Sequence, residues 1–275
     1  MKYIDEIEQN LSNYKRKNFP DLDDGIWKRN KQKYSHILPE KEKYCNLLPR
    51  YRTDLVKYLE TQKVKLHIDF HHLNSSQAMC FNFFYPLIKE RKLEIITEFI
   101  GFENEVVDYE TVCFEKDGLE VNFRRRPTSF DFYFQTKTGL KIYFEIKYTE
   151  NDFGKAKSDK EHTDKFAEIY SKFLNPINFS FQSMEMFLDN YQILRNLIHI
   201  DRDSFVVFLY PNGNLKIRQR AEEAKKEMLK KDFENNYFPI EWEKILQNAS
   251  SSIKDIKLRE QFSDFKDKYL ITNKE

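Results

Sequence analysis

The alternation of apolar and polar positions divides this chain into helical flanks around a stretch of strands. Residues 1–18 place Tyr3, Ile4, Ile7 and Leu11 on one stripe of a helix, which Pro20 and the polar run Asp21 to Gly25 end. Residues 26–50 are basic, aromatic and irregular, with Pro39 and Pro49, and 51–62 return to a short helical pattern. Ser75 and Ser76 offer an N-cap to an apolar helix over Gln77 to Glu90, which Pro86 is expected to kink or divide, and a further helix fits Leu93 to Ile100. Strand signals follow over Glu105 to Glu115 and in the alternating Leu119, Val121 and Phe123. Phe130 to Gln135 and Leu140 to Tyr148 then form a pair about Lys137-Thr138-Gly139, a three-residue loop closing on glycine. Residues 149–160 read as a loop, 161–174 and 183–199 as helices, Ser204 to Tyr210 as a buried strand, and 216–270 as mostly amphipathic helix. The order predicts an α/β core over residues 70–215, with a helical and irregular extension at 1–69 and a helical one at 216–275.

Composition narrows the classes without choosing among them. Hydrophobic residues are 40% and aromatics 16%, enough for a sizeable interior, while the 6 glycines in 275 residues argue against a turn-rich all-β barrel. Lys and Arg number 46 against 45 Asp and Glu, a net charge of +1, which excludes a uniformly basic nucleic-acid coat but not a local basic groove. The 3 cysteines are widely spaced, with no CxxC pair, so neither a zinc ribbon nor a disulfide framework is indicated, and free thiols fit a cytoplasmic protein. The first ten residues lack the apolar stretch of a signal peptide, and no run approaches the length of a membrane span.

The strand pair carries the chemistry. Two-residue periodicity puts Phe130, Phe132 and Phe134 on one face and Asp131, Tyr133 and Gln135 on the other; on the partner, Tyr143, Glu145 and Lys147 share a face. Folding about Thr138 opposes 131 to 145, 133 to 143 and 135 to 141. Directly opposed carboxylates about 5 Å apart destabilise a sheet, and a divalent cation between them reverses the sign. Asp131, Glu145 and the backbone carbonyl of Ile146 form an oxygen donor set suited to Mg²⁺, for which Mn²⁺ is expected to substitute on the same chemistry, and Lys147 points the same way, where it would orient or deprotonate a water or neutralise a phosphate oxygen. The bland alternative is an exposed hairpin face on which a lysine separates two acids.

The segment Pro127 to Asp131 (PTSFD) followed by Glu145-Ile146-Lys147 (EIK) resembles the signature of the PD-(D/E)XK nucleases, with three residues inserted between the proline and the aspartate. The element order resembles that superfamily's restriction-endonuclease-like αβββαβ core, a mixed sheet flanked by helices. His72 to Gln77 (HLNSSQ) with Glu145 to Gly154 (EIKYTENDFG) is similar to a group of bacterial restriction endonucleases. The resemblance covers the core and not the termini. It implies metal-dependent phosphodiester hydrolysis on DNA, with Asp131 and Glu145 as metal ligands and Lys147 as the catalytic lysine. Repair, junction or RNA cleavage on the same fold, or a non-catalytic nucleic-acid-binding protein, are the rival readings.

Other residues are candidates by position. Gln77, in the first turn of its helix, would reach a water or phosphate near the helix N-terminus, or else face solvent. Arg124, Arg125, Arg126, Lys155 and Lys157 form basic clusters near the motif, and Gln192 and Arg195 share a helical stripe with His199; all would contact phosphates or remain solvated. Glu103, Glu105 and Glu150 are acids that a third-ligand role would draw on. His67 and His71 have the spacing of a helical zinc pair but no HExxH pattern and no third ligand. No nucleotide-binding or serine-hydrolase motif occurs. Cutting both strands would favour a homodimer, and any modification methyltransferase would be a separate chain.

Overall fold

The computed structural model describes residues 2–119 and 128–271. The chain begins with α1 (Tyr3–Asn18), a small hairpin of β1 (Gly25–Trp27) and β2 (Gln32–Tyr34), then α2 (Arg52–Thr61), α3 (Ser76–Lys89) and α4 (Glu94–Phe99). It continues through β3 (Val107–Asp117), β4 (Ser129–Thr136), β5 (Lys141–Ile146), α5 (Lys160–Glu168), α6 (Met184–Asp189), α7 (Tyr191–Leu197), β6 (Ser204–Tyr210), α8 (Leu215–Glu223) and β7 (Tyr237–Glu241), and ends in α9 (Trp242–Ser252) and α10 (Ile256–Tyr269). It divides into two compact units, Met1–Glu103 with Trp242–Glu275, and Asn104–Glu241. Among the described residues no helix is long and apolar enough to cross a membrane.

The first unit is built about α3. Every residue from Gln77 to Leu87 is buried, so the helix needs cover on all sides. Phe83 meets Trp242 at 5.0 Å, Phe262 at 5.2 Å and Phe265 at 5.5 Å between ring centroids, which places α9 and α10 against it. Ser75 caps the helix by accepting from the Ala78 amide at 3.3 Å, as its sequence predicts. The helix neither breaks nor divides at Pro86. The proline removes the bond that the Asn82 carbonyl would normally accept, and Gln261 Nε2 supplies a replacement at 3.0 Å.

The second unit is an α/β layer structure around a mixed five-stranded sheet in the order β3-β4-β5-β6-β7. β3, β4 and β5 are antiparallel, and β6 runs parallel to both β5 and β7. All seven residues of β6 are buried, the signature of a strand covered on both faces. β7 lies within the stretch expected to be helical. It is an edge strand with Pro239 inside, tolerated because an edge position leaves one side without ladder bonds. The single helix expected over 183–199 is two, α6 and α7. They part at Asn190, where φ is −118° and ψ 30° and the side chain donates back to the Met186 carbonyl at 2.8 Å. The expected strand at 119–123 falls almost wholly outside the described residues.

Gly25 anchors the β1–β2 hairpin. Its amide donates to the Ile37 carbonyl at 2.9 Å. A Cβ there would lie 2.1 Å from the Leu38 carbonyl oxygen and 2.6 Å from Ile37 Cγ2. Gly25→Ala should therefore destabilise the first unit by about 1–3 kcal/mol. Urea unfolding followed by tryptophan fluorescence reads this selectively, since both tryptophans, Trp27 and Trp242, lie in that unit. An unchanged midpoint would mean that the strand can retreat from residues 37–38 at no cost.

Candidate active site

The β4–β5 hairpin has the register that its turn predicts. Gly139 takes φ +99°, a left-handed conformation that glycine adopts freely, and the Thr136 amide donates to the Leu140 carbonyl at 2.9 Å. Tyr133 pairs with Tyr143 and Gln135 with Lys141. The paired ladder stops at Phe132 and Phe144, one step short of Asp131 and Glu145. There Asp131 Oδ2 accepts from the Ile146 amide at 2.7 Å, so a side chain takes over where the ladder ends.

Period-2 alternation fails at the same point. Phe132 packs on Phe114 at 5.1 Å and on Phe144 at 5.5 Å, as expected for one face. Phe130, expected beside them, instead meets Tyr143 at 4.8 Å and His199 at 4.8 Å, on the face of Tyr133. The cause lies on β3. The pairs Phe114–Phe132 and Lys116–Phe130 bracket Glu115 against Asp131, and Glu115 has φ +53°, a local kink in a strand whose register against β4 also shifts between Asp108 and Cys113. Beyond it Lys116 lies over the Tyr133 ring at 4.8 Å, so both strands change face together.

The kink brings in an acid that sequence reasoning missed. Glu115 acts electrostatically on Asp131 and accepts from Ser129 Oγ at 3.1 Å. Nothing in the local pattern marks Glu115; only the β3–β4 register sets it against Asp131. Glu105 instead accepts from Thr138 Oγ1 at the loop end of the hairpin, Glu103 is exposed in the first unit, and Glu150 Oε2 accepts from the Tyr148 amide at 2.6 Å.

Lys147 is 3% exposed, and its Nζ lies 2.8 Å from Oε1 of Glu145, itself 7% exposed. Burial works to lower the lysine's pKa, but Glu145, Glu150 and Asp131 outweigh it and the net shift is upward, so Lys147 stays charged. Asp131 moves the other way for an anion. Burial, then Glu145 and Glu115, push its pKa well above the ordinary 3.8, against the opposing pull of the Ile146 amide and Lys147. With its amide oriented so that both atoms find partners, Gln192 Oε1 accepts from Lys147 Nζ at 3.0 Å and its nitrogen donates to the Phe153 carbonyl. The break at Asn190 makes this contact possible: the Gln192 amide leaves the helical pattern and donates to the Gly154 carbonyl at 3.3 Å.

Among the described residues no group of three or more His, Cys, Asp or Glu is arranged to hold a metal ion. The residues that fit one are the pair Asp131 and Glu145 with a backbone carbonyl such as that of Ile146. That set is oxygen-only, and a hard divalent cation would offset the burial and the repulsion that together raise Asp131.

The other candidates have definite places. Arg195 lies over the Tyr191 ring at 4.9 Å and donates from Nε to Thr128 Oγ1 at 3.0 Å, tying α7 to the PTSFD segment. His199 is buried rather than solvated, and its Nε2 accepts from the Leu119 amide at 3.0 Å. Lys155 is exposed, 3.5 Å from Asp189, and Lys157 is exposed. Arg124, Arg125 and Arg126 lie outside the described residues. Gln77 is fully buried in the first unit; Oε1 accepts from the His67 amide at 2.9 Å and Nε2 donates to the Lys65 carbonyl at 3.0 Å. Its amide thus secures the main chain of residues 65–67.

A single isosteric change tests the carboxylate pair. Because the pKa of Asp131 is raised in the folded protein, its burial costs nothing below about 3.8 and costs stability progressively as pH rises through the folded value. Asp131→Asn keeps an acceptor for the Ile146 amide and removes the repulsion. It should raise metal-free stability at neutral pH by about 0.5–1 kcal/mol, flatten the pH dependence, and abolish most of the gain from added Mg²⁺. Thermal unfolding of both proteins in EDTA and in Mg²⁺ measures this; a variant that melts lower in EDTA and still gains fully from Mg²⁺ would separate the two carboxylates.

No curated protein and no solved structure matches the chain. One family model does, that described as Restriction Endonuclease associating with ARP, over residues 8–270. That span takes in both compact units and every residue of the constellation at Asp131, Glu145 and Lys147, and the chain belongs to this family.

Proposed function

We propose that this protein is a Mg²⁺-dependent endonuclease of PD-(D/E)XK type that hydrolyses DNA phosphodiester bonds in restriction or defence. The observation that carries the reading is the buried Lys147–Glu145 pair, with Glu145 acting electrostatically on Asp131 just beyond the point where the β4–β5 ladder ends. The family's description as a restriction endonuclease supports the same reaction class and a DNA substrate. Bound between Asp131, Glu145 and the Ile146 carbonyl, Mg²⁺ (or Mn²⁺) would supply Lewis acidity to a phosphate oxygen and lower the pKa of an attacking water. Lys147 retains its proton, which suits it to stabilising charge that develops on the phosphate rather than to removing a proton from water. Glu145 and Gln192 hold the ammonium from two directions, so little reorganisation is needed when that charge appears. Cleavage of both strands calls for two such sites, which a homodimer would provide, and a methyltransferase that protects the cell's own DNA would be a separate chain.

The test is incubation of purified protein with plasmid DNA in Mg²⁺, Mn²⁺ or EDTA. Cutting should require the metal, and Asp131→Ala, Glu145→Ala and Lys147→Ala should each slow it by at least about 100-fold while leaving the fold intact. Wild-type cutting by any of the three, or full activity in EDTA, would falsify the assignment.

Gln192 gives a finer test. As a positioning residue for Lys147, Gln192→Leu should lower turnover by roughly 10- to 100-fold with duplex affinity nearly unchanged. A loss of affinity at constant turnover would make Gln192 a phosphate contact instead.

A further inference from the structure

The β1–β2 hairpin of the first unit has a composition that folding does not require. From Lys28 to Lys33 the sequence is KRNKQK, four cations and two amides with no acid, and all six residues are exposed. A turn made only for stability would not gather like charges on adjacent residues. Lys28 lies 2.5 Å from Glu40, while Arg29, Lys31 and Lys33 have no ion-pair partner among the described residues. The other acids near its base are Asp23 and Asp24, and Lys15 holds Asp24 at 2.6 Å.

The tip is also held in one shape. Gly25 pairs with Tyr34, Ile26 with Lys33 and Trp27 with Gln32. The Lys31 amide donates to the Trp27 carbonyl at 2.7 Å, and Lys31 takes φ +61° at the turn. Asn30 Nδ2 donates to the Tyr34 hydroxyl at 2.6 Å, that hydroxyl donates to Gln32 Oε1 at 3.1 Å, and the Gln32 amide donates to Asn30 Oδ1 at 3.1 Å. Trp27 lies edge-on to Tyr34 at 6.0 Å and to His72 at 6.2 Å, bracing the base. A long basic loop would lose entropy on meeting a ligand; this hairpin has little left to lose.

We propose that this hairpin is a duplex-DNA contact of the protein, a preorganised basic ribbon whose Arg29, Lys31 and Lys33 bind backbone phosphates. The choice of DNA as partner rests on the nuclease reading above; the charge and rigidity of the ribbon do not. A two-stranded ribbon matches the width of the major groove, about 12 Å. The Asn30 and Gln32 amides are engaged within the turn, so the contact is to phosphate and largely independent of base sequence.

The test is binding of a labelled duplex in EDTA, where no cutting occurs, by wild type and by the triple variant Arg29→Gln, Lys31→Asn, Lys33→Gln across a salt series. The variant should bind at least about tenfold more weakly at low salt, and its slope of log affinity on log salt should be shallower by about 2–3. Its tryptophan-monitored unfolding should match wild type. On the wild-type protein, duplex should protect Lys31 and Lys33 from acylation as read by mass spectrometry, which needs no variant. Equal affinity and slope in the variant, an absence of protection, or no duplex binding by wild type overturns the proposal. So does equal protection by heparin at matched charge, which would make the ribbon a general polyanion patch. A protein that binds through the hairpin yet cuts nothing in Mg²⁺ refutes the nuclease reading alone; one that cuts normally with the hairpin charges removed refutes the hairpin alone.

Discussion

Burial of Asp131 beside other carboxylates, at the open end of the β4–β5 hairpin, is the constraint that its neighbours in the second unit accommodate. Two unit charges 4 Å apart cost about 1 kcal/mol in water and about 4 kcal/mol at the effective dielectric near a protein surface, and Glu115 adds to the charge facing Asp131. Each neighbour offsets part of that cost without removing the acids. The Ile146 amide donates to Asp131 because the ladder has ended there, and Lys147 pairs with Glu145 because both leave the strand on one side. Gln192 reaches Lys147 because the helical run breaks at Asn190 and releases its amide to Gly154, whose φ of +71° turns the loop toward it. A sheet assembled for stability alone would need none of these devices.

What the sequence made legible follows from what is local. The hairpin register could be read because a three-residue loop closing on Gly139 leaves few alternatives, and once the register is known the facing of 133 and 143 follows. The face of Phe130 could not, because it depends on the backbone of Glu115, a residue on another strand with nothing unusual in its own surroundings. The Asn190 break was hidden by apolar residues that keep helical spacing on both sides of it. β7 was hidden by Pro239 and by flanking charged residues that fit a helix pattern as well. Gln77 was read as an amide that reaches a water or phosphate or else faces solvent, and it does neither: it is buried and secures its own main chain, which depends on where residues 65–67 run.

The first unit shows a different limit. Its two segments, 1–103 and 242–275, are far apart in the chain, and no local pattern says that they form one body. The sign was indirect. A helix as apolar on every side as α3 cannot be covered by one neighbour, and its proline leaves a carbonyl that something must bond. α9 and α10 supply the aromatic cover, and Gln261 supplies the hydrogen bond. The demand was legible in the sequence, whereas the supplier was not.

A net charge of +1 is compatible with the proposed nuclease, because charge acts locally. The candidate site in the second unit sets Asp131, Glu145 and Glu150 around one lysine, with Glu115 acting on Asp131, and an acidic arrangement of this kind by itself repels a phosphodiester. On the nuclease reading proposed above, affinity for such a substrate would not come from these groups. The attraction would then come from cations elsewhere on the chain, and screening confines each such contribution to about 8–10 Å at physiological salt. Cations spread evenly over the surface would be offset by the 45 acids among which they lie. Under the hairpin proposal, the cations gathered on one exposed turn with no acid among them, at Lys28 to Lys33, would supply such a contribution while the chain as a whole keeps a net charge of +1.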